Sequence, residues 1–234
     1  RSYSVTGVQT CALPIFLIPI LVPVFLLMSS IRILFNPFFL DLEYHSPSFP
    51  ADSYGFTVDD RMKWGILSLQ YITTNAPITA LSDLTFPDGS PLYNERELSH
   101  MDDVQRVYQR MVLAWMAIGA LLLGLFGVAW SGKWLSDYGR MLSTGGMVTL
   151  LLILAVLVAV ATSFNALFGA FHGLFFESGT WVFYYSDTLI RLYPVRLWQD
   201  SFIWAGVLTA AGGILLIVGG RLLTRRASKI HQAA

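Results

Sequence analysis

MLSTGGMVTLLLILAVLVAVATSFNALFGAF, Met141 to Phe171, is a run of 31 residues without a single Asp, Glu, Lys or Arg. A helix crosses the hydrocarbon core of a bilayer in about 20 apolar residues, and a helix buried in a soluble domain rarely stays uncharged for longer than that. Three further stretches repeat the signal. FLIPILVPVFLLMSSIRILFN, Phe16 to Asn36, carries one charge, Arg32; Met111 to Trp130 and Phe202 to Gly220 carry none. The spacing predicts four transmembrane helices over 16–36, 111–130, 143–168 and 202–220. Composition agrees: 55% of residues are hydrophobic and only 13% charged, against about 25% charged in soluble domains. The expected fold class is an all-α polytopic membrane protein, four transmembrane helices in a bundle with a small extracellular cap made of the loops between spans 1–2 and 3–4.

The remaining composition excludes other classes. Zero net charge gives no footprint for nucleic acid. One cysteine, Cys11, rules out a disulfide framework and a zinc ribbon. Fourteen per cent aromatic residues argue against disorder. Cys11 itself lies in VTGVQTCALPI, Val5 to Ile15, which resembles the translation of a sequencing-library adapter. Residues 1–15 are therefore set aside as an expected artefact, with Phe16 as the first native residue.

Charge sets the expected orientation. Lys133 and Arg140 fall in the short loop 131–142, and Arg221, Arg225, Arg226 and Lys229 in the tail 221–234. Lys and Arg mark the cytoplasmic side, so both termini are expected inside, with 37–110 and 169–201 outside. Of the fifteen acidic residues only Asp137 lies on the inner side. Small residues four apart, Ala120 and Gly124, Ala155, Ala159 and Ser163, and Ala205, Thr209 and Gly213, are candidates for close helix approach.

In the outer segment 37–110, Met62, Ile66, Leu69 and Ile72 recur near helical spacing, so Thr57 to Thr74 reads as an amphipathic helix. FPDGSPLY, Phe86 to Tyr93, reads as a turn or hairpin. From Glu97 no breaker intervenes before span two, which predicts one helix starting outside and running into the membrane with Asn94 as its cap.

The outer titratable residues gather in NERELSHMDDVQRVYQR, Asn94 to Arg110, and FHGLFFESGTWVFYYSDTLIRLYP, Phe171 to Pro194, each with one histidine. His100 precedes Met111 by eleven residues, roughly 16 Å of helix, and His172 follows span three by a few. Both imidazoles can meet near the outer headgroup level. Imidazole titrates near neutral pH and serves as acid or base, so the pair suggests acyl or phosphoryl chemistry on a lipid; the bland alternative is an interfacial histidine bonded to a carbonyl. His45 and His231 lie outside these motifs. No HExxH and no GxSxG occurs, no metal ligand set is apparent, and Ser99 points about 100° away from His100. Glu97, Asp102, Asp103, Glu177 and Asp187 are candidates to orient an imidazole, or members of a solvated collar. Arg106, Arg110, Arg191 and Arg196 could hold anionic headgroups or pair with those acids. Arg32, a charge at the outer end of span one, is costly there and functional unless it snorkels. The string Phe175, Phe176, Trp181, Phe183, Tyr184, Tyr185 reads as an interfacial belt or as a slot for acyl chains.

These two motifs, with YGFTVDDRMKWGILSLQYI from Tyr54 to Ile72, resemble the bacterial lipoprotein intramolecular transacylases, the Lit family, over about residues 30–205. The resemblance implies a reaction without cofactor or metal. In a lipoprotein whose N-terminal cysteine bears a diacylglyceryl group, the sn-2 acyl chain moves to the cysteine α-amine, leaving a lyso-form lipoprotein. It implies His100 and His172 as the catalytic pair, with Glu97, Asp102, Asp187, Arg191, Arg32 and Tyr54 in substrate-binding or orienting places. Expected partners are the diacylglyceryl-modified N-terminus and membrane lipid, with the active site on the extracellular face of the cell membrane. The first guess divides the roles as His100 the base and His172 the oxyanion or leaving-group partner. Two other readings stay open at this point: a non-enzymatic membrane accessory protein, and an N-acyltransferase that draws its acyl chain from phospholipid.

Overall fold

A computed structural model of the protein describes residues 12–233; the adapter-like stretch up to Cys11 lies outside the described residues. Eight helices follow in order: α1 (Ala12–Leu34), α2 (Pro37–Tyr44), α3 (Val58–Thr73), α4 (Thr79–Ser82), α5 (Glu95–Ser131), α6 (Leu135–Phe175), α7 (Thr188–Leu192) and α8 (Val195–Ala233). Among the described residues there is no strand, only a bridge between Thr85 and Pro91. Four helices are long and apolar enough to cross a membrane: Phe16–Leu34, α5, α6 and Val195–Lys229.

Local chemistry starts these helices, at α3 and α5 where the sequence predicts them and at α2 where it predicts no helix. Asn36 accepts the Phe38 N–H ahead of Pro37, opening α2. Thr57 and Asp60 cap α3 reciprocally. Asn94 and Glu97 do the same for α5: Asn94 Oδ1 accepts the Glu97 N–H at 3.0 Å and Glu97 Oε2 the Asn94 N–H at 2.8 Å. At 37 residues, α5 spans about 55 Å at 1.5 Å per residue, well beyond the roughly 30 Å of hydrocarbon. Its polar first turns therefore project past the uncharged stretch that begins at Met111. Helix α6 continues past residue 168 to Phe175, through Gly169 and Gly173, which keep helical conformation; it bends at Ser163, whose φ of −162° and ψ of 92° are not helical.

The chain forms two compact units. The first takes the described residues up to Ile31, Leu113–Val158 and the residues from Ala205 on. Its seam is glycine against glycine. A Cβ on Gly146 would stand 2.5 Å from the Gly213 carbonyl oxygen, and one on Gly139 would stand 2.7 Å from that of Gly220. Ser143 donates to the Ile217 carbonyl at 3.1 Å, and Thr209 donates to Ser30 at 2.8 Å. Close backbone approach and hydroxyl bonds hold helices together where lipid removes the hydrophobic drive. Of the expected small-residue series, the one over 205–213 lies on this seam. The others do not: Gly124 has open space around it among the described residues, and Ala155 is exposed. Spacing alone does not tell a lipid-facing turn from a helix-facing one.

The second unit is Arg32–Val112 with Ala159–Trp204. Its core gathers Trp64, Tyr71, Leu92, Tyr93, Met101, Tyr108 and Leu192. Tyrosine hydroxyls tie its loops: Tyr44 donates to the Leu192 carbonyl at 2.8 Å and Tyr193 to that of Gly65 at 3.1 Å. The expected turn at 86–90 is present, with the Phe86 N–H on the Ser90 carbonyl and Gly89 at φ +84°.

Candidate active site

Two histidines, one from α5 and one from α6, face each other inside the second unit. His100 sits one turn after Glu97, so the capping box that starts α5 also fixes its direction. His172 lies in the last turn of α6, beyond the bend. Their ring centroids are 6.3 Å apart with planes 23° from parallel. Both are buried, at 8% and 6% exposure, which is unusual for imidazoles on overhanging helix ends and removes them from a solvated collar.

Aromatic rings enclose the pair. Phe176 and Phe183 approach His100 edge-on at 4.9 and 5.3 Å between centroids. Phe168, Trp181 and Phe171 lie 4.0, 4.9 and 5.5 Å from His172. The aromatic string of the sequence thus divides. Phe176, Trp181 and Phe183 turn onto the imidazoles, while Phe175, Tyr184 and Tyr185 stay exposed. Gly179, at φ +89°, makes the reversal that brings the second half of the string back. Arg96 then clamps that loop: it pairs with Asp187 at 2.9 Å and stands 5.4 and 5.2 Å from the Phe183 and Tyr184 rings.

Protonation follows from these surroundings. His172 Nδ1 lies 2.9 Å from the Phe168 carbonyl. A carbonyl only accepts, so Nδ1 carries the proton and Nε2 keeps a lone pair while the ring is neutral. Burial lowers the pKa of His172, opposed by the Phe168 bond. Burial pushes His100 down to about 4; His172 pushes the same way and Asp103 opposes. Both rings are therefore neutral at pH 7, and a charge on His172 disfavours one on His100. His100 Nδ1 is buried with no partner among the described residues.

The other expected site residues lie elsewhere, mostly for structural reasons. Glu97, 1% exposed, accepts the Leu189 N–H at 2.7 Å as well as that of Asn94, strapping α7 to the start of α5; burial raises its carboxyl, against those two donors. Asp102 pairs with Arg106 at 3.0 Å and receives the Tyr71 hydroxyl at 3.5 Å; the carboxylate that acts on His100 is Asp103. Asp187 accepts Arg96 and the Tyr184 N–H. Arg191 is not a free headgroup ligand. It binds Asp52 at 3.1 Å and the Tyr54 carbonyl at 3.1 Å, and it lies 3.4 Å over the Phe56 ring. Tyr54 belongs to that cluster. Arg32, half-buried in the last turn of α1, acts on the Tyr108 hydroxyl. His45 is exposed and pairs with Asp41; the His231 side chain lies outside the described residues. Sequence reasoning passed over Arg96 and also Arg61, a buried guanidinium that donates to the carbonyls of Arg191 and Pro50. Only their charge in a mixed segment distinguished them.

Comparison with known proteins bears on this geometry. A sequence model of the family described as "Lipoprotein intramolecular transacylase Lit" matches residues 16–198. An uncharacterized protein of Aquifex aeolicus (strain VF5) is 32% identical over 212 residues, covering 87% of this chain and 91% of that one. The in meso structure of the membrane integral lipoprotein intramolecular transacylase Lit from Bacillus cereus superimposes with a TM-score of 0.73 at 16% identity, over 95% of this chain and 97% of that one. A histidine-to-alanine variant of the same protein gives a TM-score of 0.66 at 16% identity over 93% and 94%. At such identity these two structures establish the fold.

Proposed function

The chain belongs to the lipoprotein intramolecular transacylase family, a multi-pass membrane acyltransferase, and from that premise we propose that His100 and His172 carry the transfer. The substrate is the diacylglyceryl-cysteine N-terminus of a lipoprotein, whose sn-2 acyl chain moves to the α-amine. The observation that carries this reading is the buried, face-to-face imidazole pair with one lone pair fixed in direction.

The α-amine, pKa about 7.7–8.0, attacks the ester carbonyl carbon in its neutral form. A C–N bond forms, the carbonyl oxygen becomes an oxyanion, and the amine proton passes to His172 Nε2. The adduct then collapses: the C–O bond to glycerol breaks, and the imidazolium returns its proton to the glyceryl oxygen. No proton is gained or lost overall. His100, kept neutral by burial, hydrogen-bonds within the adduct and prevents a second cation. This division keeps His172 as the leaving-group partner of the first guess and moves the base role to it from His100, because neutral His172 has a free lone pair at Nε2 and no N–H left to offer an oxyanion. Both reactants sit on one molecule, so proximity replaces a nucleophilic serine or cysteine. The Lys and Arg distribution supports cytoplasmic termini and a site on the extracellular face, with the second unit's loops as its cap and membrane lipid around it.

The product tests the reaction. Purified protein with a diacylglyceryl lipopeptide in detergent, and no other lipid, is expected to block the amine at unchanged mass. Mild base then releases one fatty acid rather than two. An amine that stays free, or a gain of one acyl mass only when phospholipid is supplied, overturns the intramolecular reading.

The pH profile tests the protonation states. Both imidazoles are held below the ordinary value and are already neutral near neutrality. The rising limb of log kcat/KM therefore tracks deprotonation of the substrate amine, to about 7.7–8.0, with no second break near the usual imidazole value of about 6.5. A break there that vanishes in His172→Gln contradicts this.

A further inference from the structure

Trp181 Nε1 and His100 Nδ1 are the two buried side-chain polar atoms that lack a hydrogen-bond partner among the described residues. An indole N–H can only donate. Leaving it buried and unpaired forfeits its hydration with nothing in return, and native structures tolerate this rarely, commonly at functional sites. This one is beside the chemistry: the Trp181 ring centroid is 4.9 Å from that of His172, the planes 36° apart. The indole lies over α6 one turn before His172, where a Cβ on Gly169 would come 3.9 Å from the ring. The other indole near His172, that of Trp198, already donates to the Tyr193 carbonyl at 3.1 Å.

Resting on the transacylase reading of this site, we infer that Trp181 is a catalytic residue whose indole N–H donates to the ester carbonyl oxygen as it becomes the oxyanion of the tetrahedral adduct. The indole keeps its proton throughout; the proton that moves is the amine's, by way of His172. A donor aimed at charge that develops only in the transition state lowers the barrier without tightening the ground state. A phenylalanine would fill the same aromatic wall without the unpaired N–H.

The test replaces Trp181 with 3-benzothienylalanine, which keeps the bicyclic shape and puts sulfur in place of N–H, and in parallel makes Trp181→Phe. Both variants are expected to lose about 10²–10³ in kcat with KM within about twofold. Binding of a 2-O-alkyl ether lipopeptide, which lacks the carbonyl, is expected to be unchanged. Undiminished kcat in the benzothienyl variant overturns the assignment. So does an equal loss of ether-analogue binding, which would make the ring's packing responsible. Failure of the unmodified protein to block the amine would overturn the transacylase reading and this role with it; an active unmodified protein with an equally active variant overturns only the role of Trp181.

Discussion

Replacing His172 with alanine lowers kcat by about 10²–10⁴, the range for removing a positioned general base, while the protein stays folded. The ring sits 6% exposed between Phe168 and Trp181, and its one hydrogen bond among the described residues is to the carbonyl of its own preceding turn, so no remote element depends on it. His100→Ala has the same kinetic outcome for a related reason. Its Nδ1 has no protein partner among the described residues, so truncation removes an unsatisfied polar atom along with the ring's packing, and the two effects on stability oppose each other. The measurement is single-turnover N-acylation of a diacylglyceryl lipopeptide, with thermal melting of the same detergent-solubilised samples. Activity within about threefold of the parent, far inside the range for a lost general base, would remove either histidine from the mechanism. Equal losses in His45→Ala, which pairs with Asp41 on the surface, would point to a general effect on the fold.

Arg191→Ala has the largest expected effect on stability, about 3–5 kcal/mol, the usual result of stranding one partner of a buried ion pair. The Arg191 and Asp52 side chains are 12% and 4% exposed. Removing the guanidinium also strips the Phe56 ring of its cation and the Tyr54 carbonyl of a donor. Melting temperature should fall by roughly 2–4 °C for each kcal/mol, and activity should fall only as the folded fraction does. Arg191→Lys is intermediate, since an ammonium reaches Asp52 without the planar fork that stacks on Phe56. Adding Asp52→Asn to Arg191→Ala recovers part of the loss by removing the stranded charge. A normal melting temperature with a raised KM would restore Arg191 to headgroup binding and remove it from the frame.

The four apolar helices were legible because lipid imposes one rule on composition and length, and the starts of α3 and α5 because capping chemistry is local to a few residues. The convergence of His100 and His172 was legible from helix rise alone. The roles of the surrounding charges were not. Glu97, Asp102, Asp187 and Arg191 share their motifs with the histidines, yet each is committed to a partner distant in sequence or to its own helix turn: Leu189, Tyr71 and Arg106, Arg96, and Asp52. Long-range partners leave no trace in local spacing. The aromatic string failed differently: the reversal at Gly179 returns Trp181 and Phe183 to the imidazoles, while neighbours in sequence on either side of it, Phe175 beside Phe176 and Tyr184 beside Phe183, face the surface.

The ring wall around the imidazoles also bears on where the fatty acid ends up. An ester beside an activated imidazole faces two competing nucleophiles, the tethered amine and water. Beyond the Trp181 N–H and the imidazoles themselves, which the proposed reaction engages, Phe168, Phe171, Phe176 and Phe183 offer no polar atom to hold a water in line for attack, which on the proposed assignment favours aminolysis. A leakier wall would make the protein a lipase that shed one chain per encounter and loosened its substrate from the bilayer. On the proposed assignment an intact wall conserves both chains, and the lipoprotein changes the chemistry of its anchor without weakening its hold.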